Sequence, residues 1–482
     1  MTVRVRYAPS PTGHLHIGGA RTALFNYLLA RKAGGTYILR IEDTDQSRNV
    51  EHADEKFLEN FKWLGLHWDE GPGVGGEYGP YSCMERLPVY NEYVNQLLEQ
   101  GKAYYCYCTE EELEKEREEA MAQGQMPRYS GRCRSLTPDQ KSAYEKEGRK
   151  KTIRFRVPDG KIIKFTDLVR GDMHFESDGI GDYVIVKSDG IPTYNFAVTI
   201  DDHLMKISHV IRGEEHLSNT PRQILIYDAF GWDKPQFAHV SLILNRDGKK
   251  LSKRDESIIQ FIEQYRNLGY LPEAILNYLA LLGWSPGGEQ EIFSLEELVQ
   301  AFSLDRVSKS GAIFDTEKLA WMNSHYIKQA DLQRIVELAI PHLQQAGYIG
   351  ETFDHSWVTK LVALHKEKMS YVAELPELAK QFFEDDLVYA GEAAEILQEE
   401  QVPVVVAAFL EKAKQMPEWT AGSIQLALKE IQKETGYKGR ALFMTVRVAA
   451  TGQVHGPDLN QSLELLGRER VITRLQNILV KS

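Results

Sequence analysis

Apolar and polar positions alternate at the start of the chain and then adopt a helical spacing. Residues 3–7 alternate valine and tyrosine with arginine, which predicts a β-strand. Apolar residues over 20–31 recur with a helical period, and the glycine pair 34–35 predicts the left-handed turn that ends this helix. A short apolar run over 36–41 predicts a buried parallel strand. Together these elements predict a right-handed βαβ unit.

The pattern changes after this opening unit. Thr109 and Glu112 predict a capping box at the start of a charge-rich helix. Strand patterns separated by Asp-Gly turns follow at 153–157, 162–165 and 183–187. Strand character returns at 210–211, before a helical pattern over 220–230, and we interpret this as the second half of the opening sheet. The sequence therefore predicts an α/β domain that is split by an α+β insertion.

Helical patterns dominate the rest of the chain, and amphipathic segments there are separated by Gly or Pro turns. We therefore predict a multidomain protein with an all-α C-terminal part. The predicted domains are a Rossmann-like α/β domain over 1–100 and 191–235, an α+β insertion over 101–190, a helical domain over 236–326 and an all-helical region of two subdomains over 327–482.

Composition limits the class of protein. The 482 residues are 43% hydrophobic and 26% charged, which is typical of a globular chain. The longest apolar run, 404–410, is much shorter than the roughly 20 residues of a membrane span, and the N-terminal pattern is not that of a secretory leader. We therefore predict a soluble, cytoplasmic protein. The net charge of −12 means that any contact with nucleic acid must be local.

The segment 8–19 (APSPTGHLHIGG) lies between the first predicted strand and helix. Glycines in such a loop let a nucleotide approach backbone N–H groups, and the N-terminus of the following helix favours phosphate. His16 can donate a hydrogen bond to a phosphate oxygen as charge develops there. Taken alone, the same residues are also consistent with a tight surface turn that carries an exposed histidine.

A basic loop, KKLSKR over 249–254, follows about 235 residues later, after a turn that contains Gly248. Lysines in such a loop can neutralise a triphosphate and its transition state. Taken alone, this loop is also consistent with a solvated charged turn.

The two loops together are far more specific than either alone. They resemble the two signatures of class I aminoacyl-tRNA synthetases. The whole chain is similar to the glutamyl-tRNA synthetases of the bacterial type, through the segments RIEDTD (40–45), PTYN (192–195), VIRGEE (210–215), GRALF (439–443) and RVAATG (447–452).

The residues at the predicted strand ends agree with this resemblance. Glutamate has two carboxylates and one ammonium group. Arg6 and Arg212 each end a strand and can bind a carboxylate through two hydrogen bonds, although Arg6 alone is also consistent with an exposed strand-end charge. Glu42 can accept the ammonium group. The resemblance implies glutamate binding by Arg6, Ser10, Glu42, Tyr194 and Arg212. Some relatives carry Asn where this chain has Val198, so we expect no substrate contact there.

The resemblance implies glutamate–tRNA ligase activity. ATP, with Mg²⁺, and glutamate would form glutamyl-adenylate and pyrophosphate, and the terminal adenosine of tRNA(Glu) would accept the glutamyl group after the tRNA has bound. His16, Lys250 and Lys253 would stabilise the transition state. ATP would contact Ser10, Thr12, His16, Gly18 and Lys253.

The resemblance also assigns roles to the predicted domains. The insertion would bind the acceptor stem, the domain over 236–326 would contact the stem, and the last region would bind the anticodon. The family and the size of the chain favour a monomer.

Three alternatives remain at this stage. A shorter relative glutamylates a modified tRNA base, but it resembles only about the first 290 residues and lacks the helical region. Glutaminyl-tRNA synthetases end in β-barrels, which the helical pattern after residue 327 does not support. A catalytically inactive tRNA-binding paralogue would be expected to lack His16, Lys253 or Arg212, and all three are present.

Three of the four cysteines are close together in the sequence. Cys106, Cys108 and Cys133 flank the capped helix, and three thiolates plus one further donor can hold a structural zinc ion. Several family members supply a His at the position of Ser135, and close relatives of the family use a Tyr that matches Tyr129. Three reduced thiols without a metal are the alternative.

The region expected to bind the anticodon offers little that would separate glutamate tRNAs from glutamine tRNAs. In discriminating members of the family an arginine reads the third anticodon base, but residues 335–439 contain no arginine. The stretch 365–370, where we align the reading helix, carries lysines, whose point charge separates C from G poorly. We therefore predict that the protein also accepts tRNA(Gln), unless Arg334, Arg440 or another group reads the base from elsewhere.

Overall fold

The computed structural model describes residues 2–11, 13–46, 53–251 and 258–481. Its strands are β1 (Arg4–Tyr7), β2 (Thr36–Leu39), β3 (Ala103–Cys106), β4 (Thr152–Phe155), β5 (Ile162–Asp167), β6 (Gly171–Glu176), β7 (Tyr183–Val186), β8 (His209–Gly213), β9 (Gln236–Val240), β10 (Ile243–Leu244) and β11 (Ala312–Ile313).

The helices are α1 (Ile17–Lys32), α2 (Ala53–Leu64), α3 (Leu87–Glu99), α4 (Glu110–Ala122), α5 (Pro138–Lys146), α6 (Tyr194–Leu204), α7 (Thr220–Phe230), α8 (Ile262–Asn267), α9 (Pro272–Leu281), α10 (Leu295–Ala301), α11 (Thr316–Gln329), α12 (Leu332–Gln345), α13 (His355–His365), α14 (Leu375–Leu378), α15 (Glu392–Ile396), α16 (Val402–Gln415), α17 (Ala421–Thr435), α18 (Arg440–Thr451), α19 (Leu459–Leu466) and α20 (Arg468–Lys481).

A six-stranded sheet in the order β2-β1-β8-β9-β5-β6 forms the centre of the N-terminal part. The first five strands are parallel, and only β6 runs antiparallel to its neighbour. The predicted strand–helix–strand unit is confirmed as β1, α1 and β2. Parallel strands in one sheet bring their carboxyl ends to the same edge, which is where open α/β sheets bind ligands.

Two strands of the predicted insertion belong to this main sheet. β5 joins it through a parallel pairing of Asp167 with Phe237 on β9, and β6 extends it as the edge strand. The pairing joins residues that are far apart in the sequence, so no local pattern could indicate it. The rest of the insertion forms a separate antiparallel sheet in the order β3-β4-β7. The predicted capping box is confirmed at the start of α4, where Thr109 and Glu112 exchange hydrogen bonds.

The chain divides into two compact units. The first comprises the described residues of Met1–Tyr265 and Pro272–Thr316, and the second those of Arg266–Leu271 and Glu317–Ser482. The second unit is helical and has its own apolar core, to which α12, α13, α16, α17, α18, α19 and α20 contribute. Among the described residues, no helix has the length and apolar character that crossing a membrane requires.

Candidate active site

Two adjoining cavities lie at the carboxyl edge of the main sheet. The first, which we call the Arg212 cavity, has a volume of about 420 Å³ and is lined by Arg6, Ser10, Gly18, Glu42, Tyr194 and Arg212, among others. The second, which we call the His16 cavity, has a volume of about 520 Å³ and is lined by His16, Gly18, Lys250 and Ser241, among others. Five residues line both cavities: Gly18, Gly19, Thr22, Gly213 and Glu215. The structure therefore brings residues from both sequence signatures together around one connected space.

Arg212 is a buried cation at the end of β8. Only 5% of the residue is exposed. Its Nη2 donates hydrogen bonds to Thr220 Oγ1 (2.8 Å) and Gln223 Oε1 (2.9 Å), and its Nε donates to His239 Nε2 (3.2 Å). All these partners are neutral, and within the described ranges no carboxylate forms a salt bridge with Arg212. Because a buried charge is costly unless it is paired, this site favours an anionic ligand.

Arg6 differs from Arg212 in that its charge is already paired. Arg6 Nε and Nη2 donate to the two carboxylate oxygens of Asp202 at 3.0 and 3.2 Å. Asp202 also pairs with Arg40 (2.9 Å), which in turn donates to Glu42 Oε1 at 3.0 Å. Burial alone would raise the pKa of Asp202, but Arg6 and Arg40 hold it below its ordinary value. Asp202 therefore already occupies two N–H donors of Arg6, and the predicted contact of Arg6 with glutamate stays a prediction.

Glu42 is also held within this buried network. Only 6% of the residue is exposed, and burial raises the pKa of its carboxyl group, although Arg40 and Arg6 oppose the shift. A cationic group next to Glu42 would favour the ionised form. Glu42 can therefore receive an ammonium group, provided that it keeps or exchanges its contact with Arg40.

Tyr194 and His216 also line the Arg212 cavity. The Tyr194 hydroxyl lies 3.2 Å from His216 Nδ1 and 3.4 Å from Arg212 Nη1. Burial, together with the nearby Arg212 and Arg6, lowers the pKa of His216 to about 3. His216 is therefore neutral near pH 7 and adds no positive charge to that of Arg212.

His16 caps α1 and lines its own cavity. Its Nδ1 accepts the N–H of Gly18 at 3.1 Å, so the ring proton lies on Nε2, which donates to Gln260 Oε1 at 3.1 Å. A Cβ atom added at Gly19 would lie 2.4 Å from the hydroxyl of Tyr7. The glycine pair after His16 therefore keeps the helix N-terminus open towards both cavities.

The other residues predicted to contact the nucleotide either line one of the two cavities or lie outside the described residues. Ser10 lines the Arg212 cavity, and Lys250 lines the His16 cavity. Thr12 and Lys253 lie outside the described residues, so their predicted contacts with ATP stay predictions.

The three predicted cysteine ligands and Tyr129 meet in the insertion. The sulfur atoms of Cys106, Cys108 and Cys133 lie within 4.8 Å of one another, and Cys108 Sγ is 3.6 Å from Cys133 Sγ. The Tyr129 hydroxyl lies 3.5 Å from Cys106 Sγ and 3.7 Å from Cys108 Sγ. The Arg154 guanidinium stacks on the Tyr129 ring at 3.9 Å. The structure therefore contains three cysteine sulfurs grouped closely enough to hold one metal ion, with a phenol oxygen beside them.

Sequence reasoning assigned no role to several residues of this site. Asp202, on α6, neutralises Arg6 although the two residues are far apart in the sequence, so no local pattern indicates the contact. His239 and Gln260 contact Arg212 and His16 across large sequence separations. Arg40 belongs to the RIEDTD segment, and its position two residues before Glu42 in an extended chain, where such side chains lie on the same face, could have indicated the pair.

A further cavity, in the helical unit, has a volume of about 620 Å³ and contains none of the predicted catalytic residues. Trp357 and Trp419 line it, and their indole N–H groups donate to the backbone carbonyls of Leu465 and Leu463. These bonds fix both rings to α19.

Two family models match the chain. The model described as tRNA synthetases class I (E and Q), catalytic domain, matches residues 2–321, and the model described as anticodon binding domain matches residues 334–479.

Proteins named glutamate–tRNA ligase are similar to this chain over nearly its full length. The protein from Halalkalibacterium halodurans is 62% identical over 480 residues, and the one from Bacillus subtilis is 59% identical over 479 residues, with 99% of each chain covered. A crystal structure described as a glutamate tRNA ligase from Elizabethkingia meningosepticum in complex with its amino acid matches with a TM-score of 0.90 and 36% identity, and covers 100% of this chain and 99% of that chain.

Proposed function

The chain belongs to the class I tRNA synthetases for glutamate and glutamine (E and Q), and we propose that it is a glutamate–tRNA ligase. The main observation behind this proposal is the setting of Arg212. This residue is a buried arginine with neutral partners, and it faces a cavity that opens onto the His16 loop. An anionic amino acid supplies the missing charge, and ATP occupies the adjoining His16 cavity.

The reaction assigns an orientation to glutamate. The α-carboxylate must attack the α-phosphate of ATP, so it lies near the boundary that Gly18 and Gly213 form between the two cavities. The side-chain carboxylate then points to Arg212, with the Tyr194 hydroxyl beside it, and the ammonium group is received by Glu42. Arg6 holds the strand ends through Asp202 and directs its remaining N–H donors to the substrate.

Adenylation needs charge stabilisation more than covalent chemistry from the protein. ATP brings Mg²⁺, which neutralises its phosphates. His16 Nε2–H would exchange its bond with Gln260 for one to a phosphate oxygen, and Lys250 lines the same cavity. The sequence signature adds Thr12 and Lys253 to this set, and Ser10 reaches the nucleotide from the glutamate side. The terminal adenosine of tRNA(Glu) then accepts the glutamyl group.

Pyrophosphate exchange tests this function and its alternatives. We expect glutamate-dependent exchange between ATP and pyrophosphate that requires tRNA(Glu), followed by aminoacylation of that tRNA. Binding of tRNA without exchange would identify an inactive paralogue. Transfer of glutamate to a tRNA base instead of the 3′ end would identify the base-modifying activity, although the match of the anticodon-binding model over 334–479 speaks against it.

We also propose that the enzyme charges tRNA(Gln). Arg440 is already paired with Glu392 (2.9 Å), and Lys366, in the segment expected to read the anticodon, donates to the backbone carbonyl of Ala330. Lys368 is exposed there and can hold a phosphate, but it cannot match one base in the way an arginine fork can. Charging assays with purified tRNA(Glu), tRNA(Gln) and an unrelated tRNA test this proposal. Glutamylation of tRNA(Gln) no higher than that of the unrelated tRNA would contradict it.

We propose that the cysteine cluster with Tyr129 holds a structural zinc ion. In a tetrahedral site with Zn–S of about 2.3 Å and Zn–O of about 2.0 Å, neighbouring donors lie about 3.8 Å (S–S) and about 3.5 Å (S–O) apart. The separations in this cluster, 3.6 Å between two sulfurs and 3.5 and 3.7 Å from the phenol oxygen to sulfur, agree with those values. The ion would cross-link the start of α4 to the loop that precedes α5.

Elemental analysis tests the zinc proposal without depending on activity. We expect about one zinc ion per chain, weaker retention against a chelator in Tyr129→Phe, and loss in Cys133→Ser. Cys83→Ser is the matched control, because Cys83 lies outside the cluster. A parent protein that is free of metal after purification with reductant and zinc would contradict the proposal.

A further inference from the structure

His239 lies between Arg212 and a buried carboxylate. It is fully buried on β9, its Nε2 faces Arg212 Nε at 3.2 Å, and its Nδ1 lies 2.6 Å from Asp167 Oδ2. Asp167, at the end of β5, is 1% exposed. The three side chains form a continuous row from β5, across β9, to the Arg212 cavity.

The donor pattern of this row fixes the tautomer of His239. An arginine N–H can only donate, so His239 Nε2 must accept. The ring proton therefore lies on Nδ1 and is donated to Asp167 Oδ2. Burial lowers the pKa of His239, which agrees with a neutral ring. Asp167 thus holds the imidazole, and the imidazole holds the Arg212 guanidinium, without a negative charge in contact with the guanidinium.

Backbone groups hold the Asp167 carboxylate in one orientation. Its Oδ1 accepts the N–H groups of Val169 (3.0 Å), Arg170 (2.8 Å) and His239 (3.2 Å). Its Oδ2 is left to face the imidazole of His239. The two oxygens therefore have different, fixed roles.

We propose that Asp167 and His239 are positioning residues for glutamate recognition, which they control by fixing the direction of the Arg212 guanidinium while leaving its charge for the substrate. This proposal rests on the function proposed above, because it takes Arg212 as the ligand of the substrate carboxylate. The contrast with Arg6, whose fork is neutralised directly by Asp202, supports it. A carboxylate in direct contact with Arg212 would compete with glutamate, whereas an imidazole in that position does not.

The substitution Asp167→Asn reverses the hydrogen-bonding role of the side chain towards His239 while keeping the size of the side chain. Three backbone N–H donors keep the amide oxygen at the Oδ1 position, so the new NH₂ group faces His239 Nδ1. The ring must then accept at Nδ1 and carry its proton on Nε2, so Arg212 Nε–H loses its acceptor. The relocated proton faces Arg212 or turns to Thr220 Oγ1, 3.0 Å away, which already accepts from Arg212 Nη2, and either arrangement disturbs the guanidinium. We expect KM for glutamate to rise at least about tenfold with KM for ATP within about twofold of the parent, because outer positioning partners typically control binding by one to two orders of magnitude.

The matched control is Asp172→Asn, an exposed carboxylate on the same hairpin that accepts the Thr166 hydroxyl at 2.7 Å. ¹⁵N spectra of histidine-labelled protein report the tautomer directly, with the His239 signal assigned by its loss in His239→Gln. The double variant Asp167→Asn/His239→Gln should bind glutamate as His239→Gln alone does, because glutamine has no tautomer to invert.

The outcomes are separable. A parent without glutamate-dependent exchange would refute the proposed function, while the ¹⁵N spectrum would still decide whether Asp167 fixes the ring. An active parent in which Asp167→Asn retains the Nδ1–H tautomer, or inverts it without changing KM for glutamate, would overturn the proposal. Equal rises in KM for glutamate and ATP, together with lower stability, would show a general structural role instead and would also overturn it.

Discussion

Replacing Arg212 with alanine is the most direct test of the site. The substitution removes the buried guanidinium and leaves a substrate carboxylate in a low-dielectric cavity without its counter-charge. Truncating one partner of a buried, hydrogen-bonded charge pair costs about 2–5 kcal/mol, which corresponds to a factor of about 30 to a few thousand in binding. Because the contact exists in both the bound substrate and the transition state, we expect the loss mainly in KM for glutamate and little change in kcat.

The assay is pyrophosphate exchange in the presence of tRNA, with glutamate and ATP varied separately. Arg212→Lys keeps the charge but cannot hold Thr220, Gln223 and His239 at once, so we expect an intermediate rise in KM. Arg222→Ala is the matched control, since that arginine lies on α7 and donates to the Ser218 carbonyl. If Arg212→Ala binds glutamate as the parent does while folding normally, Arg212 only stabilises the fold and the assignment of the cavity is wrong.

The other expectations test the helix cap, the basic loop, the substrate charge and the pH response. Gly19→Ala should lower the free energy of unfolding by about 1–3 kcal/mol in urea titrations, because its Cβ would lie 2.4 Å from the Tyr7 hydroxyl, and Tyr7→Phe should restore much of that loss. Lys253→Ala should abolish pyrophosphate exchange and leave tRNA binding nearly intact; unchanged exchange would contradict its role. Glutamine should not support exchange at concentrations that saturate with glutamate, and efficient exchange with glutamine would mean that Arg212 does not select for a carboxylate. Burial lowers the pKa of His216 to about 3, so between about pH 3 and 6.5 the unfolded chain binds more protons at this residue than the folded chain does. The free energy of unfolding should therefore fall as the pH drops through that window, and His216 should account for at most about 2 kcal/mol of the loss at pH 5. A shallower stability loss in His216→Asn would bear this out, and an unchanged slope would not.

Local signals in the sequence predict much of the fold. The alternation at residues 3–7, the helical period after the glycine loop and the capping box of α4 each depend on neighbours within a few positions. The structure has these elements at nearly the predicted bounds. Three of the five candidate ligands of glutamate, Arg6, Glu42 and Arg212, could be placed together from the strand pattern, because they lie at or near carboxyl ends of parallel strands and those ends share one edge. Ser10 and Tyr194 were assigned only through the family resemblance.

The sequence does not indicate which of the two arginines is already paired with a protein carboxylate. Arg6 and Arg212 have equivalent local settings, since each lies near the end of a parallel strand. Only the folded structure shows that Asp202 neutralises Arg6 and that His239 contacts Arg212 instead. Both contacts come from other elements of the domain, and hydrophobic periodicity carries no information about them.

The lack of a carboxylate partner at Arg212, in contrast to Arg6, gives a physical reason for the site to prefer glutamate to glutamine. The connected network of buried charges beside the Arg212 cavity contains three arginines, Arg6, Arg40 and Arg86, and three carboxylates, Glu42, Asp201 and Asp202. These six charges balance, whereas Arg212, buried next to them, adds one positive charge that no described carboxylate pairs. Glutamate has a net charge of −1 and brings a carboxylate to that position, whereas glutamine would leave the guanidinium buried without a counter-ion. Rejection of the amide thus follows from the unpaired charge itself, because a site built around a buried ionic partner penalises the ligand that lacks it more than it penalises a difference in shape.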